Sequence, residues 1–228
     1  MTLSAAIDSM LHRLRAFAPA ERLALAGAAL VLALQAAGAG GALEYRRSLV
    51  WQEPWRLLGA HLVHVNARHA FVNAAAWFVV ARVFAPEMGV RRQLLIAGVG
   101  AAAISAALWA GYPEIEWYRG LSGVLHALFL AGATLWLARA WRRPDRPPAA
   151  APAPVAGSPV RHLRRAAVPA ALFAGAWLKI VLEQRAPGSI VSGGWLGLDV
   201  VTPAHLVGGV VGTAWGIAAA LRRRGGRP

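Results

Sequence analysis

The chain has 228 residues, of which 57% are apolar and only 15% charged, a balance that excludes an ordinary soluble domain. It contains no cysteine, which excludes disulfides, thiol catalysis and thiolate metal sites. Its net charge of +14 would suit a nucleic-acid-binding protein. The basic residues, however, alternate with long apolar segments, so we expect a membrane protein with no nucleic acid partner.

Residues 1–22 are predicted to form an N-terminal interfacial segment. Their apolar side chains recur at helical spacing, which favours a short helix on the inner membrane surface. The first long apolar run begins after residue 20 without a convincing processing site, so we expect no cleaved signal peptide. The apolar positions are Leu3, Ile7, Met10, Leu11, Leu14 and Phe17.

Six apolar stretches follow, each close to the roughly 20 residues that a transmembrane helix needs. Many of their residues are Gly or Ala, which lets helix backbones approach closely and favours a compact bundle. We therefore predict an all-α membrane protein with a six-transmembrane-helix bundle over residues 23–221. The stretches are residues 23–43, 67–84, 94–111, 121–140, 166–182 and 203–221.

The arginines predict how this bundle is oriented. With the N-terminus placed inside, the inner segments carry many more arginines than the outer ones, which is the positive-inside pattern. Both termini are then cytoplasmic. Residues 144–160, rich in Pro and Ala, are predicted to be a disordered cytoplasmic loop, and residues 222–228 a basic cytoplasmic tail.

This orientation brings polar residues of three segments to one side of the membrane. Ser122 lies at the outer end of the fourth segment and His205 at the outer end of the sixth. His64, His69 and Asn73 enter the second segment from the same side. Because polar and ionisable groups are costly inside a membrane, their convergence indicates a functional site.

The residue types suggest acyl chemistry. A serine is a weak nucleophile that needs a base within hydrogen-bond reach, and the imidazole of His205 would suit. His69 and Asn73 are four residues apart, hence on one helical face, and could donate to a developing oxyanion, as could the N–H of Ser122 itself.

Small residues surround both groups. Gly120 and Gly123 flank Ser122 with minimal bulk, which lets a neighbouring helix or a substrate come near. Gly208 and Gly212 share a face with His205, which predicts close packing of the sixth segment against the fourth.

These positions together resemble the rhomboid family of intramembrane serine proteases. The resemblance implies that Ser122 is the nucleophile and His205 the base, in a dyad without a required acid. His69 and Asn73 would then help to form the oxyanion hole, with His64 in support. The matching motifs are Gly120-x-Ser122-Gly123, His64-x4-His69-x3-Asn73, the pair Trp55-Arg56, and Ala204-His205 followed by Gly208 and Gly212.

The run from Gly120 to His126 is similar to the bacterial rhombosortase subgroup. That resemblance implies clients with a C-terminal Gly-Gly-containing sorting tail. It also implies a multi-pass protein of the bacterial inner membrane whose active site faces the periplasmic side. Two features depart from many rhomboids: a short first outer loop, about residues 44–56, and His126 where an aromatic residue commonly stacks on the catalytic imidazole.

Several residues allow more than one interpretation. Asp199 could orient His205 as in a triad, although a loop or cap residue is the simpler interpretation. Lys179 and Glu183, four apart, are most simply an exposed ion pair. His126 could be a packing group, a proton partner or a substrate contact, and structural support is the simplest interpretation. His61 and His64 have metal-like spacing but no carboxylate cluster beside them, so we expect no metal and no cofactor.

The main hypothesis is hydrolysis of a peptide bond in or next to a transmembrane segment of a membrane-anchored protein, within the lipid bilayer. An alternative is a catalytically inactive rhomboid-like protein that binds membrane clients. A transporter fits less well, because the polar groups cluster at the outer end rather than at the midplane.

Overall fold

The computed structural model describes residues 16–142, 159–186 and 200–225. These ranges contain six long helices, and the prediction of a mostly helical membrane protein is confirmed. The N-terminal segment up to residue 15, loop residues 144–158, Asp199 and residues 226–228 lie outside the described residues. The helices are α1 Pro19–Ala36, α2 Ala67–Phe84, α3 Val90–Gly111, α4 Ser122–Ala140, α5 Pro159–Arg185 and α6 Thr202–Gly225.

Within the described ranges, five of these helices are long and apolar enough to cross a membrane. The exception is α2, whose bounds coincide with the predicted second segment. Its Arg68, His69, Asn73 and Arg82 lower its hydropathy. A sixth crossing and cytoplasmic termini therefore stay predictions.

The first helix is shorter than predicted. We expected residues 23–43 to be one segment, but α1 ends at Ala36 and Gly38 follows with φ +67°. The N–H of Gly38 donates to the carbonyl of Gln35 at 3.2 Å, and that of Ala39 to the carbonyl of Leu34 at 3.1 Å. This is the Schellman pattern that ends helices at a left-handed glycine.

The expectation of a short first outer loop is also wrong, because residues 37–66 all lie between α1 and α2. They form single-turn helices at Gly40–Leu43 and Arg56–Gly59, and a strand, β1 (Tyr45–Arg46), that pairs antiparallel with β2 (Trp117–Tyr118) before α4. The buried Arg56 guanidinium donates to the Glu53 carboxylate and to two backbone carbonyls. The loop is therefore an ordered layer over the end of the bundle where the polar residues gather.

Helix α4 is the centre of the bundle, and it packs most extensively against α6 and also touches α2, α3 and α5. Its apolar residues are buried on several sides, as expected for a helix enclosed by others. A Cβ added to Gly208 or Gly212 would overlap the backbone of Gly123 or Ala127 on α4. The predicted glycine contact between the fourth and sixth segments is confirmed, and it brings the starts of α4 and α6 together.

Candidate active site

The start of α4 presents Ser122 from a constrained turn. Gly120 has φ +139°, a conformation that side-chain-bearing residues rarely adopt. Its N–H donates to the carbonyl of Ala60 at 2.9 Å, and its own carbonyl accepts from the Tyr118 hydroxyl at 2.6 Å. A Cβ here would lie 3.0 Å from Cε1 of His69, which is tighter than an ordinary contact, so the His69 ring would have to shift. The turn thus holds Ser122 at a helix N-terminus beside His69.

The structure brings Ser122 and His205 into direct contact. Oγ of Ser122 lies 2.8 Å from Nε2 of His205, which stands in the first turn of α6 and is buried. The two residues are far apart in sequence, and the close approach of α4 and α6 joins them. This is the separation that proton transfer between a nucleophile and a base requires.

The other ring nitrogen of His205 is bound by a residue that sequence reasoning placed elsewhere. Its Nδ1 lies 2.8 Å from Oε2 of Glu183, whose side chain is fully buried on α5. The expectation of an exposed Lys179–Glu183 ion pair is therefore wrong, although the two side chains are in contact and Lys179 is partly exposed. The sequence held one signal for this role, because an ionisable residue in an apolar helix is a functional candidate. The predicted fifth segment ended at Leu182, however, so Glu183 was placed just outside it.

The donors and acceptors determine where the protons lie. An ionised carboxylate only accepts, so Nδ1 of His205 carries a proton and donates it to Glu183. Nε2 of His205 then has a free lone pair and accepts from the Ser122 hydroxyl. This is the arrangement in which an imidazole can remove a serine proton.

His126 stacks on the imidazole of His205. The rings of His126 and His205 have centroids 4.1 Å apart and are inclined by 24°. Nδ1 of His126 lies 2.8 Å from the carbonyl oxygen of Ser122, and Nε2 lies 3.4 Å from Nζ of Lys179. Because an ammonium only donates, Nε2 accepts and the protonated Nδ1 donates to Ser122. His126 thus takes the stacking position that an aromatic residue has in many rhomboids.

His64 and His69 lie beside the turn that precedes Ser122. Their rings meet edge to face with centroids 4.8 Å apart. Nε2 of His64 accepts from the N–H of Leu121 at 3.4 Å, so His64 supports the turn before the serine. Burial, with a smaller contribution from His69, lowers the pKa of His64 to about 3, which keeps it neutral.

Asn73 stands one helical turn from His69 and donates to its carbonyl oxygen at 2.9 Å. Asn66 precedes α2 and accepts from the N–H of His69 at 2.8 Å as an N-cap. Both asparagines therefore fix the backbone that carries the His69 ring. Asn73 does not line the cavity described next.

A cavity of about 260 Å³ opens beside Ser122. Ser122 and His69 are both in its wall, with carboxylates and a guanidinium among its other polar groups. A substrate carbonyl in this space could reach the serine hydroxyl. The other lining residues are Val65, Glu114, Ile115, Glu116, Trp117, Tyr118, Arg119, Val200 and Val201.

A metal suits this site less well than acid–base chemistry. Within the described ranges, ligand atoms of His126, Glu183 and His205 gather within 4.8 Å of one another. Lys179 contacts both His126 and Glu183, and its ammonium would oppose a cation. The His61–His64 pair also suits a metal poorly. Nε2 of His61 is engaged in hydrogen bonds with Ala101 and Ser105 on α3, 3.1 Å from each.

These features define a multi-pass membrane protein in which a serine hydroxyl, an imidazole and a carboxylate are hydrogen-bonded in series at one end of the bundle. Residues 51–222 match the family model of the Rhomboid domain, so the chain belongs to the rhomboid family. Members of this family are generally intramembrane serine proteases. Among curated proteins, none matches this chain. The family resemblance stated from the motifs is confirmed, and the rhombosortase resemblance stays a prediction.

Proposed function

We propose that this protein is an intramembrane serine protease that hydrolyses a peptide bond in or next to a transmembrane segment of a membrane-anchored protein. The observation that carries the proposal is the 2.8 Å contact between Oγ of Ser122 and Nε2 of His205 beside an open cavity. Membership of the rhomboid family supports it. A catalytically inactive protein would have no need of this contact.

In the first step, Oγ of Ser122 attacks the scissile carbonyl carbon while Nε2 of His205 takes the hydroxyl proton. The carbonyl oxygen becomes an oxyanion. Donors available to it are the N–H of Ser122, at the positive end of α4, and the ring of His69, which lies beside Gly120 at the cavity wall. We keep Asn73 as a further candidate donor if α2 shifts when substrate binds.

In the second step, the tetrahedral intermediate collapses and the C–N bond breaks. The proton on Nε2 of His205 passes to the leaving amine, and the acyl group stays on Ser122. A water then gives a proton to His205, attacks the ester and releases the acid, and the proton returns to Ser122. The cavity is the route by which the substrate strand and this water would enter.

The substrate must unwind before it can be cut, since a transmembrane helix satisfies its backbone hydrogen bonds internally. We propose that helix-weakening residues near the scissile bond mark good substrates. With the predicted positive-inside orientation, the site faces the outer, periplasmic side of a bacterial inner membrane. The rhombosortase resemblance narrows the clients to those with a C-terminal Gly-Gly sorting tail.

A fluorophosphonate probe tests the proposal directly, because it forms a covalent adduct only with an activated serine. The purified protein in detergent should be labelled at Ser122, and Ser122→Ala and His205→Ala should not be labelled. Both variants should also leave intact a reporter fused to one transmembrane helix with a Gly-rich outer end. Absence of labelling in the wild-type protein, with the reporter retained as a bound client, would favour the inactive client-binding alternative.

A further inference from the structure

The groups around His205 form a closed circuit of polar contacts. From Ser122 Oγ the circuit passes through His205 to Glu183, then to Lys179, then to His126, and returns to the carbonyl oxygen of Ser122. It joins three helices, α4, α5 and α6. Such a circuit constrains the side chains of His205, Glu183, Lys179 and His126, because each of them would break two contacts on rotating.

We propose that Glu183, held in place by Lys179, is a positioning residue for the protease chemistry, so that Ser122 and His205 work as a Ser–His–carboxylate triad. This inference rests on the proposed function. It departs from the acid-free dyad that the family resemblance implies. Glu183 acts through His205 and touches neither the substrate nor the reacting atoms.

Each carboxylate oxygen of Glu183 has a different partner. Oε2 binds Nδ1 of His205, and Oε1 binds the ammonium of Lys179. A fully buried carboxylate is costly unless a cation and hydrogen bonds compensate for the lost hydration. Lys179 supplies the positive charge from a partly exposed position, one helical turn away on the same face of α5. The pair is neutral as a whole, yet it leaves one oxygen to orient the imidazole.

Among the described residues, Glu183 is the only carboxylate within ion-pair distance of His205. Ser122 and His126 approach from α4, Lys179 and Glu183 from α5, and His69 from α2. When His205 takes the serine proton it becomes an imidazolium, and the Glu183 carboxylate is placed to stabilise it.

Glu183→Gln tests the positioning role most directly, because it replaces the carboxylate with a neutral amide of similar shape. In Glu183→Gln, the side chain can donate its N–H to Nδ1 of His205. The ring proton would then move to Nε2, which could no longer accept from Ser122. The analogous change in serine proteases lowers kcat by about 10⁴-fold with the geometry intact. We expect a loss of about 10²- to 10⁴-fold in kcat and in the fluorophosphonate labelling rate, with KM unchanged.

Two further variants and a control complete the experiment. Glu183→Asp keeps the charge and should recover at least about tenfold of the lost rate. Lys179→Met should lower kcat by about tenfold while Lys179→Arg retains most activity, since only the first leaves Glu183 without its cation.

Glu21→Gln is the matched control, because Glu21 is a buried carboxylate paired with Arg82 away from this circuit. Its kcat per folded molecule should equal that of the wild type.

The outcomes separate this inference from the proposed function. If Glu183→Gln folds and is labelled at the wild-type rate while Ser122→Ala is not labelled, the positioning role is overturned and the protease proposal stands. If Glu183→Gln does not fold, Glu183→Asp and Lys179→Met decide: a raised KM with unchanged kcat in both would also overturn it. A wild-type protein that no fluorophosphonate labels would refute both proposals.

Discussion

Gly208 on α6 lies directly against the carbonyl oxygen of Gly123 on α4, one residue after Ser122. A Cβ on Gly208 would overlap that oxygen, and one on Gly123 would lie 2.7 Å from the carbonyl oxygen of Ala204. The two backbones therefore touch without intervening side chains. Because His205 stands three residues before Gly208, this contact sets the distance between Ser122 and His205.

We predict that Gly208→Ala lowers both stability and activity. The added methyl group must push α4 and α6 apart, since its nearest neighbour is backbone rather than a flexible side chain. Overpacking of this kind costs about 1–3 kcal/mol, and a displacement of 1 Å can reduce catalysis by about a hundredfold. Thermal unfolding in detergent and the fluorophosphonate labelling rate measure the two effects. Gly175→Ala on α5 is the control, because a Cβ there has open space around it; equal losses in both variants would contradict the packing argument.

His69 and Asn73 should differ in their effects on catalysis. His69 lines the cavity beside Ser122, whereas Asn73 binds the carbonyl oxygen of His69 one turn away. We expect His69→Ala to lower kcat by about a hundredfold to a thousandfold with little change in KM, as for the loss of one oxyanion donor. Asn73→Ala should cost less, because it removes a support of the helix. Steady-state kinetics of reporter cleavage measure kcat and KM for both variants. A kcat loss in Asn73→Ala equal to or larger than that in His69→Ala would indicate that Asn73 donates directly to the oxyanion.

Much of the site was predictable because its signals are local. The motifs around Ser122, His205 and His69 depend on short spacings, and a membrane restricts the bundle to a few topologies. The bounds of α2 and the glycine contact between α4 and α6 follow from the same patterns. The motifs therefore identified, without knowledge of the fold, residues that the structure brings together at the candidate site.

Glu183 was not predictable in the same way. Its spacing from Lys179 is that of any exposed ion pair on a helix, and the sequence does not show that this face of α5 turns towards α6. The break after α1 was missed for a related reason: Gly38 lies in an apolar stretch, and only its backbone conformation shows that the helix ends there. The deciding fact is a tertiary contact for Glu183 and a local backbone conformation for Gly38.

Acidification should destabilise the fold through His61 and His64. Burial lowers the pKa of His61 to about 4 and that of His64 to about 3, whereas an unfolded histidine has a pKa near 6.5. The unfolded chain therefore binds protons first, so stability is lost as the pH falls from about 6.5 towards these values. By linkage, each residue costs about 2 kcal/mol at about pH 5. Thermal unfolding in detergent should show this decline, and His61→Gln should make it shallower; an unchanged slope would assign the acid sensitivity to other groups.

The final prediction concerns which membrane-anchored proteins the enzyme cleaves. A rhombosortase-like enzyme would act on a C-terminal tail with a Gly-Gly segment, one hydrophobic helix and a basic end that stays in the cytoplasm. Each glycine weakens a helix by about 1 kcal/mol relative to alanine, so such a tail unwinds where the cavity beside Ser122 can receive it. We expect the enzyme to release the client's N-terminal domain from the membrane, and replacement of the glycines with leucine to block that release. Immunoblots of membrane and soluble fractions, with Ser122→Ala as the inactive control, measure the outcome. If Gly-Gly-tailed proteins are processed equally without this enzyme, the subgroup prediction fails, whereas cleavage of the reporter would still support a rhomboid protease of broader specificity.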